Sequence, residues 1–356
     1  MKGRISYLCL EGLVEGQGPF THVHEIVSGL RAGGWEIELF TRPAPEKPTA
    51  GRVLLGYLTL QAKMAMRLHR SDMMYVRSHF AALPILLLAR LYGMPIAQEV
   101  NGTFEDCIKA HPRLRYVTLL IRWAVRTSLL LSDVVLAVTP RVRNEIVQFL
   151  RKGRVVVLPN GANTELFRPG ALPRPPIPGD YVVFFGALAP WQGIETMLAA
   201  VRRPDWPGGV HLVIAGDGVE RPAVEAEAAR DKRIIYLGRI PQRDVPGLVA
   251  HSLAGLCPIS ADVGHSPLKV YETLAAGVPV VVTEVPGQVE LVRDNRCGLV
   301  IPPKDPAALA SAIATLAGGR AEREEMGCRG RRLIEMGHSW RRRADELCGV
   351  LQQLVE

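Results

Sequence analysis

Short β-branched runs alternate with helix-length amphipathic stretches along nearly the whole chain. Residues 4–10 read as a first strand, and residues 11–22, E-G-L-V-E-G-Q-G-P-F-T-H, as a glycine-rich loop. His22–Leu30 then sets Val23, Ile26, Val27 and Leu30 on one helical face. Gly33-Gly34 ends that helix, and Trp35–Thr41 is the second strand. Pro43–Gly51 is a turn-rich connector, and residues 52–69 read as a helix. Strands over Asp72–Arg77, Pro95–Val100, Asp133–Thr139 and Val155–Leu158 alternate with helices over Ala81–Tyr92 and Arg141–Leu150. Prolines dominate Arg168–Asp180, which reads as a semi-rigid linker. The alternation then restarts. Tyr181–Phe185, Val210–Ala215, Ile234–Leu237 and Gly255–Ile259 are predicted strands, Ile194–Val201 and 219–231 helices. After Gly287–Leu291 and the strand Leu299–Ile301, helix returns over 305–317 and through a charged tail, 320–356. Such alternation predicts two mostly parallel sheets covered on both faces, with ligands held beyond the carboxyl ends of the strands.

The pattern is densest at His265–Val282, H-S-P-L-K-V-Y-E-T-L-A-A-G-V-P-V-V-V. Ser266-Pro267 is expected to start a helix, with proline where its missing N–H costs nothing. Val270, Leu274 and Ala275 form its apolar face, Gly277 stops it, and Val278–Val282 suits a buried strand. Glu272 sits among those apolar neighbours. A buried charge is costly unless it is paired, so Glu272 reads either as a wet-side carboxylate or as one that holds ligand hydroxyls in a cleft.

Composition narrows the class. The chain has 356 residues, enough for two α/β domains. Six scattered cysteines without a C-x-x-C pair fit a reducing cytoplasm. The N-terminal apolar run is interrupted at Glu11, too soon for an export signal, and no run of 18 uncharged apolar residues predicts a membrane span. The net charge of +8 is uneven: residues 1–170 hold 22 Lys and Arg against 13 Asp and Glu, the remainder 21 against 22. Cys107–Leu131 holds Lys109, Arg113, Arg115, Arg122 and Arg126 and no acidic residue. On a helix, 115, 122 and 126 fall within about 40° of one another. That describes a basic, partly amphipathic helix of the kind that lies on an anionic membrane surface, or else a packed helix with a solvated arginine stripe.

Motifs exclude several chemistries. Gly16 and Gly18 are followed by Pro19, Phe20 and Thr21, so G-x-G-x-x-G is absent. Neither G-x-x-x-x-G-K-[ST] nor G-x-S-x-G occurs, and there is no Asp-x-Asp. A cleft between two such domains would be faced by Gly16 and Gly18 from one side and by Gly186, Gly216, Gly218 and Glu272 from the other. Helix N-termini and turn N–H groups bind phosphate. Ser266, Pro267 and Leu268 would therefore cradle a diphosphate, Lys269 would add charge, and Glu272 would accept from ribose hydroxyls. Arg77, Glu99, Asn101 and Glu105 fall at strand ends in the first half and are candidates for polar recognition. Nucleic-acid binding is not indicated, since no aromatic-studded basic groove appears.

Four segments together resemble one family: Gly16–Phe40; 155–169, V-V-V-L-P-N-G-A-N-T-E-L-F-R-P; 184–198, F-F-G-A-L-A-P-W-Q-G-I-E-T-M-L; and 266–281, S-P-L-K-V-Y-E-T-L-A-A-G-V-P-V-V, followed by G-Q-V-E-L-V. The chain is similar to the GT-B retaining glycosyltransferases of family 4. The resemblance implies an α/β GT-B fold, two Rossmann-like doubly wound domains facing a cleft. It places an acceptor domain at 1–170, a sugar-nucleotide domain at 171–335 and a helical tail, 336–356, that would pack back on the first domain. It implies a UDP- or GDP-sugar as donor substrate with no tightly bound cofactor and no metal. Gly16, Gly18, Gly186, Gln192, Gly216, Gly218, Ser266, Pro267, Leu268, Lys269 and Glu272 are the implied donor contacts. Glu99, Asn101, Glu105 and His265 are the candidates for the reaction itself. The acceptor would be a glycan or a lipid-linked hydroxyl, with the protein cytoplasmic and peripheral at the inner face of the membrane. Three departures from the family pattern involve four positions. Gly264 stands where a sugar-side Glu is usual, Ala187 and Gln192 stand where Arg and Lys often clamp the phosphates, and Asn101 stands where His is frequent. The E-V-N-G form, with Arg77 and Glu105 around it, resembles a surface-polysaccharide branch. A GT-B sugar-nucleotide epimerase and a catalytically weak GT-B scaffold are the alternatives.

Overall fold

The computed structural model describes residues 2–43, 49–104, 116–150, 154–170, 173–260 and 266–356. Glu105, Gly264, His265 and the start of the basic stretch with Lys109, Arg113 and Arg115 lie outside the described residues.

Two six-stranded parallel sheets organise the described chain. The first holds β1 (Gly3–Leu13), β2 (Trp35–Pro43), β3 (Met73–Arg77), β4 (Ile96–Val100), β5 (Val134–Ala137) and β6 (Arg154–Val157), in the order β2-β1-β3-β4-β5-β6. The second holds β7 (Asp180–Phe185), β8 (Val210–Ala215), β9 (Ile234–Gly238), β10 (Ala254–Cys257), β11 (Val280–Thr283) and β12 (Gly298–Ile301), in the order β12-β11-β10-β7-β8-β9. Central strands such as Met73–Arg77 and Val134–Ala137 are buried end to end, because helices cover both faces and leave no wet side. Each order reverses once, between β1 and β3 and between β7 and β10. Ligands bind beyond the carboxyl ends of strands at such switch points. The two domains are Rossmann-like and flank a cleft, the GT-B architecture.

The helices of the first domain are α1 (Gly18–Ala32), α2 (Ala50–Ala65), α3 (Leu83–Leu91), α4 (Thr118–Leu130) and α5 (Pro140–Val147). Those of the second are α6 (Ile194–Val201), α7 (Arg221–Arg230), α8 (Val245–Ala250), α9 (Leu268–Ala275), α10 (Gln288–Arg293), α11 (Pro306–Gly318) and α12 (Arg320–Leu333). A π-helical turn, Ile334–His338, leads to α13 (Trp340–Gln352), which crosses back. Trp340, Leu347 and Leu351 of α13 join Val23, Ile26 and Leu30 of α1 in the core of the first domain. The chain thus passes between domains twice, and the passages touch. Ala162 N–H donates to His338 O (2.9 Å) and Trp340 N–H to Ala162 O (3.0 Å). Gly161 permits that approach, since a Cβ there would lie 2.8 Å from His338 O.

Several expected boundaries are corrected. The glycine-rich loop is shorter than 11–22. Glu11-Gly12-Leu13 extends β1 by pairing with Arg42 and Pro43, and α1 begins at Gly18, where Pro19 suits a first turn. The helix predicted over 52–69 spans Ala50–Ala65, followed by a separate turn, Leu68–Arg70, whose Leu68 plugs the core. In the central stretch the helix begins at Leu268, not at Ser266-Pro267. Pro267 is its extended cap, and Ser266 points its hydroxyl at Tyr271 (3.1 Å). Helix α8 and the short turn Gln242–Asp244 before it went unread, because Pro241, Pro246 and Gly247 obscure any periodicity.

Candidate active site

Both switch points open on the same cleft. From the second domain, Gly186 follows β7, and the Gly186 and Gly216 turns abut. A Cβ on Gly216, whose φ is +147°, would lie 1.8 Å from Gly186 O. Gly216→Ala is therefore expected to lower stability by about 2–4 kcal/mol, read as a shifted urea midpoint. Gly218 lies against Leu188 O in the same way, and its N–H donates to Asp217 Oδ1 (2.9 Å).

Helix α9 opens beside the first domain without a side-chain cap, and although Val270 N–H donates to Pro267 O (3.1 Å), the Leu268 and Lys269 N–H groups remain donors for a ligand. Lys269 leans back over β7. Its Nζ lies 3.8 Å from the centre of the Phe184 ring and donates to Gln192 Oε1 (2.7 Å). Gln192, where the family pattern often has a cation, holds the cation of α9 instead. Burial pulls the Lys269 ammonium down to about 8, against the pull of Cys257 and Glu272.

Glu272 lies one turn further along α9 and is 8 % exposed. Among the described residues its carboxylate has no hydrogen-bond or ion-pair partner. Burial pushes its pKa up to about 7, Glu25 of α1 pushes the same way, and Lys269 opposes. Glu25 itself is raised by burial and accepts from Asn163 Nδ2 (3.0 Å). Glu25 thus sets a like charge near Glu272 from the opposite domain.

From the first domain, Gly16 adopts φ +80° with open space around it, and Gly18, at the start of α1, lies beside Leu268. The start of α1 therefore lies beside the start of α9. Further contacts bind the domains there. Asn160 Nδ2 donates to Ser266 O (2.6 Å), which turns Asn160 Oδ1 toward His22 Nδ1 (2.8 Å). Gln242 Nε2 donates to Thr21 Oγ1 (2.9 Å).

Glu99 ends β4 beneath this contact and is 4 % exposed. It accepts from Tyr75 OH (2.7 Å), Arg77 Nη1 (2.8 Å) and Asn101 Nδ2, and its Oε1 lies 2.8 Å from His22 Nε2. Burial alone would raise its pKa, but His22, Arg77 and Asn101 outweigh it and hold the carboxyl well below the usual range. Arg77 also donates to Glu11 Oε2 (3.1 Å). Burial opposes its charge, and Glu11 and Glu99 more than restore it. Glu99 and Asn101 thus spend polar atoms on each other rather than standing free at the strand end. His22, Asn160 and Glu25 carry this arrangement but were not singled out in the sequence. His22 and Asn160 sat in plain view inside two of the family-like segments, Gly16–Phe40 and 155–169. Among the described residues no cluster of three His, Cys, Asp or Glu side chains is placed to hold a metal ion.

Comparison with known proteins agrees with this geometry. Residues 16–166 match the model described as Glycosyltransferase Family 4, and residues 179–318 match that of Glycosyl transferases group 1. A glycogen synthase of Mycobacterium tuberculosis is 22% identical, over 90% of this chain and 87% of its own. A GDP-mannose-dependent alpha-(1-6)-phosphatidylinositol monomannoside mannosyltransferase of the same organism is 29% identical over 55% of each chain. The solved structure of a sucrose-phosphate synthase from Thermosynechococcus elongatus superposes with a TM-score of 0.82 at 19% identity, over 99% of this chain and 98% of the other. With both halves matched in order, and the cleft built between them, the chain is a GT-B fold protein related to the family 4 and group 1 glycosyltransferases.

Proposed function

We propose that the chain moves a sugar, with retention at the anomeric carbon, from a UDP- or GDP-sugar to a hydroxyl of a glycan or lipid-linked acceptor. The observation that carries this reading is Glu272, a buried carboxylate without a protein partner among the described residues, one turn from Lys269 and from the start of α9, which lies beside the start of α1. A ribose diol would supply the hydrogen bonds Glu272 lacks. A diphosphate would take the first-turn N–H groups and the Lys269 ammonium. The donor would lie on residues 171–335 and the acceptor on residues 1–170, with the tail after 335 tying the two together.

In the reaction the acceptor oxygen forms a bond to the anomeric carbon on the face from which the phosphate oxygen departs. The breaking C–O bond delivers its electron pair to that phosphate, which takes the acceptor proton. The developing charge falls on donors already aimed at it, the preorganisation that lowers such barriers. No side-chain nucleophile is required, and no Asp-x-Asp-held metal is invoked. His22, Arg77, Glu99 and Asn101 form a rigid floor that orients the acceptor, and Glu105 and His265 remain candidates for direct contact with acceptor and sugar. The Gln242–Thr21 hydrogen bond holds the cleft closed against water. A lipid-carried precursor of a surface polysaccharide is the acceptor that the E-V-N-G segment points to.

The test is product analysis with UDP- and GDP-sugars and a bacterial lipid extract, with the anomeric configuration read by NMR. A glycoside of retained configuration is expected, and Lys269→Ala should lower kcat/KM about 100-fold. Conversion of the donor alone to a different sugar, with no glycoside formed, would overturn the reading in favour of an epimerase.

A further inference from the structure

Three neighbouring helices on one side of the first sheet leave apolar side chains in water. Helix α2 packs against α3, and α3 against α4. On α2, Leu60 and Met64 turn inward, while Leu54, Leu55 and Leu58 are exposed. On α3, Ile85, Leu86 and Ala89 are buried, while Leu87 is exposed and Leu91 is 84% exposed. On α4, Ile121 and Leu129 are buried, while Leu119 is 83% exposed and Leu120 and Trp123 are also exposed. The outward residues recur at spacings of three and four, so each helix carries a second apolar stripe where a water-facing helix normally carries charge. Contiguous apolar surface of that kind marks an interaction site.

Charge identifies the occupant. The three helices contain no Asp or Glu. Arg52 and Lys63 on α2 and Arg122 and Arg126 on α4 are exposed, and no carboxylate among the described residues pairs with them. The Arg122 and Arg126 guanidiniums lie over the Phe104 and Phe149 rings, at 4.8 and 5.9 Å. Leucine and tryptophan interleaved with cations that meet no described carboxylate is the composition of helices that lie in an anionic lipid interface. A second copy of the same face would set cation against cation.

We propose that the α2–α3–α4 face is a docking surface for an anionic phospholipid bilayer. Leu119, Leu120 and Trp123 enter the acyl boundary, and the four cations meet the headgroups. The face runs up to the cleft, since Arg122 covers Phe104, three residues past Asn101. Docking would therefore present the first-domain wall to a lipid-borne hydroxyl. That last step rests on the proposed transfer reaction, but the docking itself does not.

The full chain should be sedimented with vesicles of phosphatidylcholine, with and without phosphatidylglycerol. Binding is expected only to the mixed vesicles, falling with added salt. Arg122→Ser with Arg126→Ser should weaken it by roughly fivefold per charge. Leu119→Ser with Leu120→Ser and Trp123→Ser should abolish it while circular dichroism and sugar-nucleotide binding stay unchanged. Brominated lipid should quench wild-type tryptophan fluorescence. Failure of the wild type to bind mixed vesicles, or wild-type binding by the triple variant, would overturn the proposal. So would a lipid-free dimer that the triple variant abolishes, which would assign the face to self-association. Vesicle binding is read without donor and donor binding without lipid, so failure of one leaves the other legible.

Discussion

Glu272→Ala is expected to weaken binding of the donor sugar nucleotide by about 100–1000-fold, the worth of two hydrogen bonds to a charged acceptor. Calorimetry with the UDP- and GDP-sugars reads it directly, and unchanged affinity in a folded variant would remove the ribose role. The same residue makes a prediction of opposite sign for the empty protein. Its carboxyl titrates near 7 in the fold, against an ordinary 4.5. The folded state therefore holds a proton that the unfolded chain has released between those values, so stability falls as pH rises through that window. The full loss is on the order of 3 kcal/mol. Glu272→Gln removes the titration, and the variant should unfold at higher urea than wild type above pH 7 while binding donor poorly. Function and stability thus pull this position in opposite directions.

A sugar nucleotide carries no titrating phosphate in this range, so the protein sets the pH dependence of binding. Ribose hydroxyls favour ionised Glu272, and affinity should fall as pH drops below about 7. Diphosphate favours charged Lys269, and affinity should fall as pH rises above about 8. The result is a narrow optimum between the two. Glu272→Gln should lose the acid limb and Lys269→Met the alkaline limb. A flat profile in the wild type would show that neither group meets the ligand.

Much of this site was legible from local pattern alone. Glu272 announced itself as a carboxylate inside an apolar helical face, and Gly186, Gly216 and Gly218 as glycines at strand ends. These signals are local because helix phase and turn chemistry are local. The roles of His22, Asn160 and Glu25 were not legible from local pattern, although all three lie inside family-like segments. Their significance arises from contacts across 138 residues of sequence, as in His22–Asn160 and Glu25–Asn163, and no period in the chain encodes a domain interface. Glu99 was found but its surroundings were not. A strand-end carboxylate looks the same in sequence whether it is free for a ligand or enclosed by Tyr75, Arg77 and Asn101. The exposed leucines of α2 and α3 were not legible either, since a run such as L-P-I-L-L-L-A-R-L does not say which side of the helix meets water.

Replacing Glu99 should be the most damaging single change in the first domain. The carboxylate is the shared acceptor of Arg77, Tyr75 and Asn101 and lies 2.8 Å from His22. Glu99→Gln keeps the shape but leaves the buried Arg77 guanidinium with only the half-exposed Glu11 as counter-charge. Breaking a buried pair from one side costs about 3–5 kcal/mol, because the remaining charge has been taken out of water without compensation. The sign of the pH effect follows from the depressed carboxyl. Glu99 contributes stability that is complete above the ordinary carboxylate range and is lost as pH falls toward its low folded value, so wild type should lose its advantage over Glu99→Gln in acid. The consequence reaches the cleft through His22, whose other nitrogen meets Asn160, which in turn fixes the Ser266 carbonyl ahead of α9. Loosening that chain should disorder the α9 N-terminus and weaken donor binding even where Lys269 and Glu272 are intact. Arg77→Met in the Glu99→Leu background separates the two effects. It removes the stranded cation and should recover most of the urea stability, while donor affinity stays low because His22 has lost the carboxylate 2.8 Å from its Nε2. Recovery of both together would show that the network acts only as a structural support.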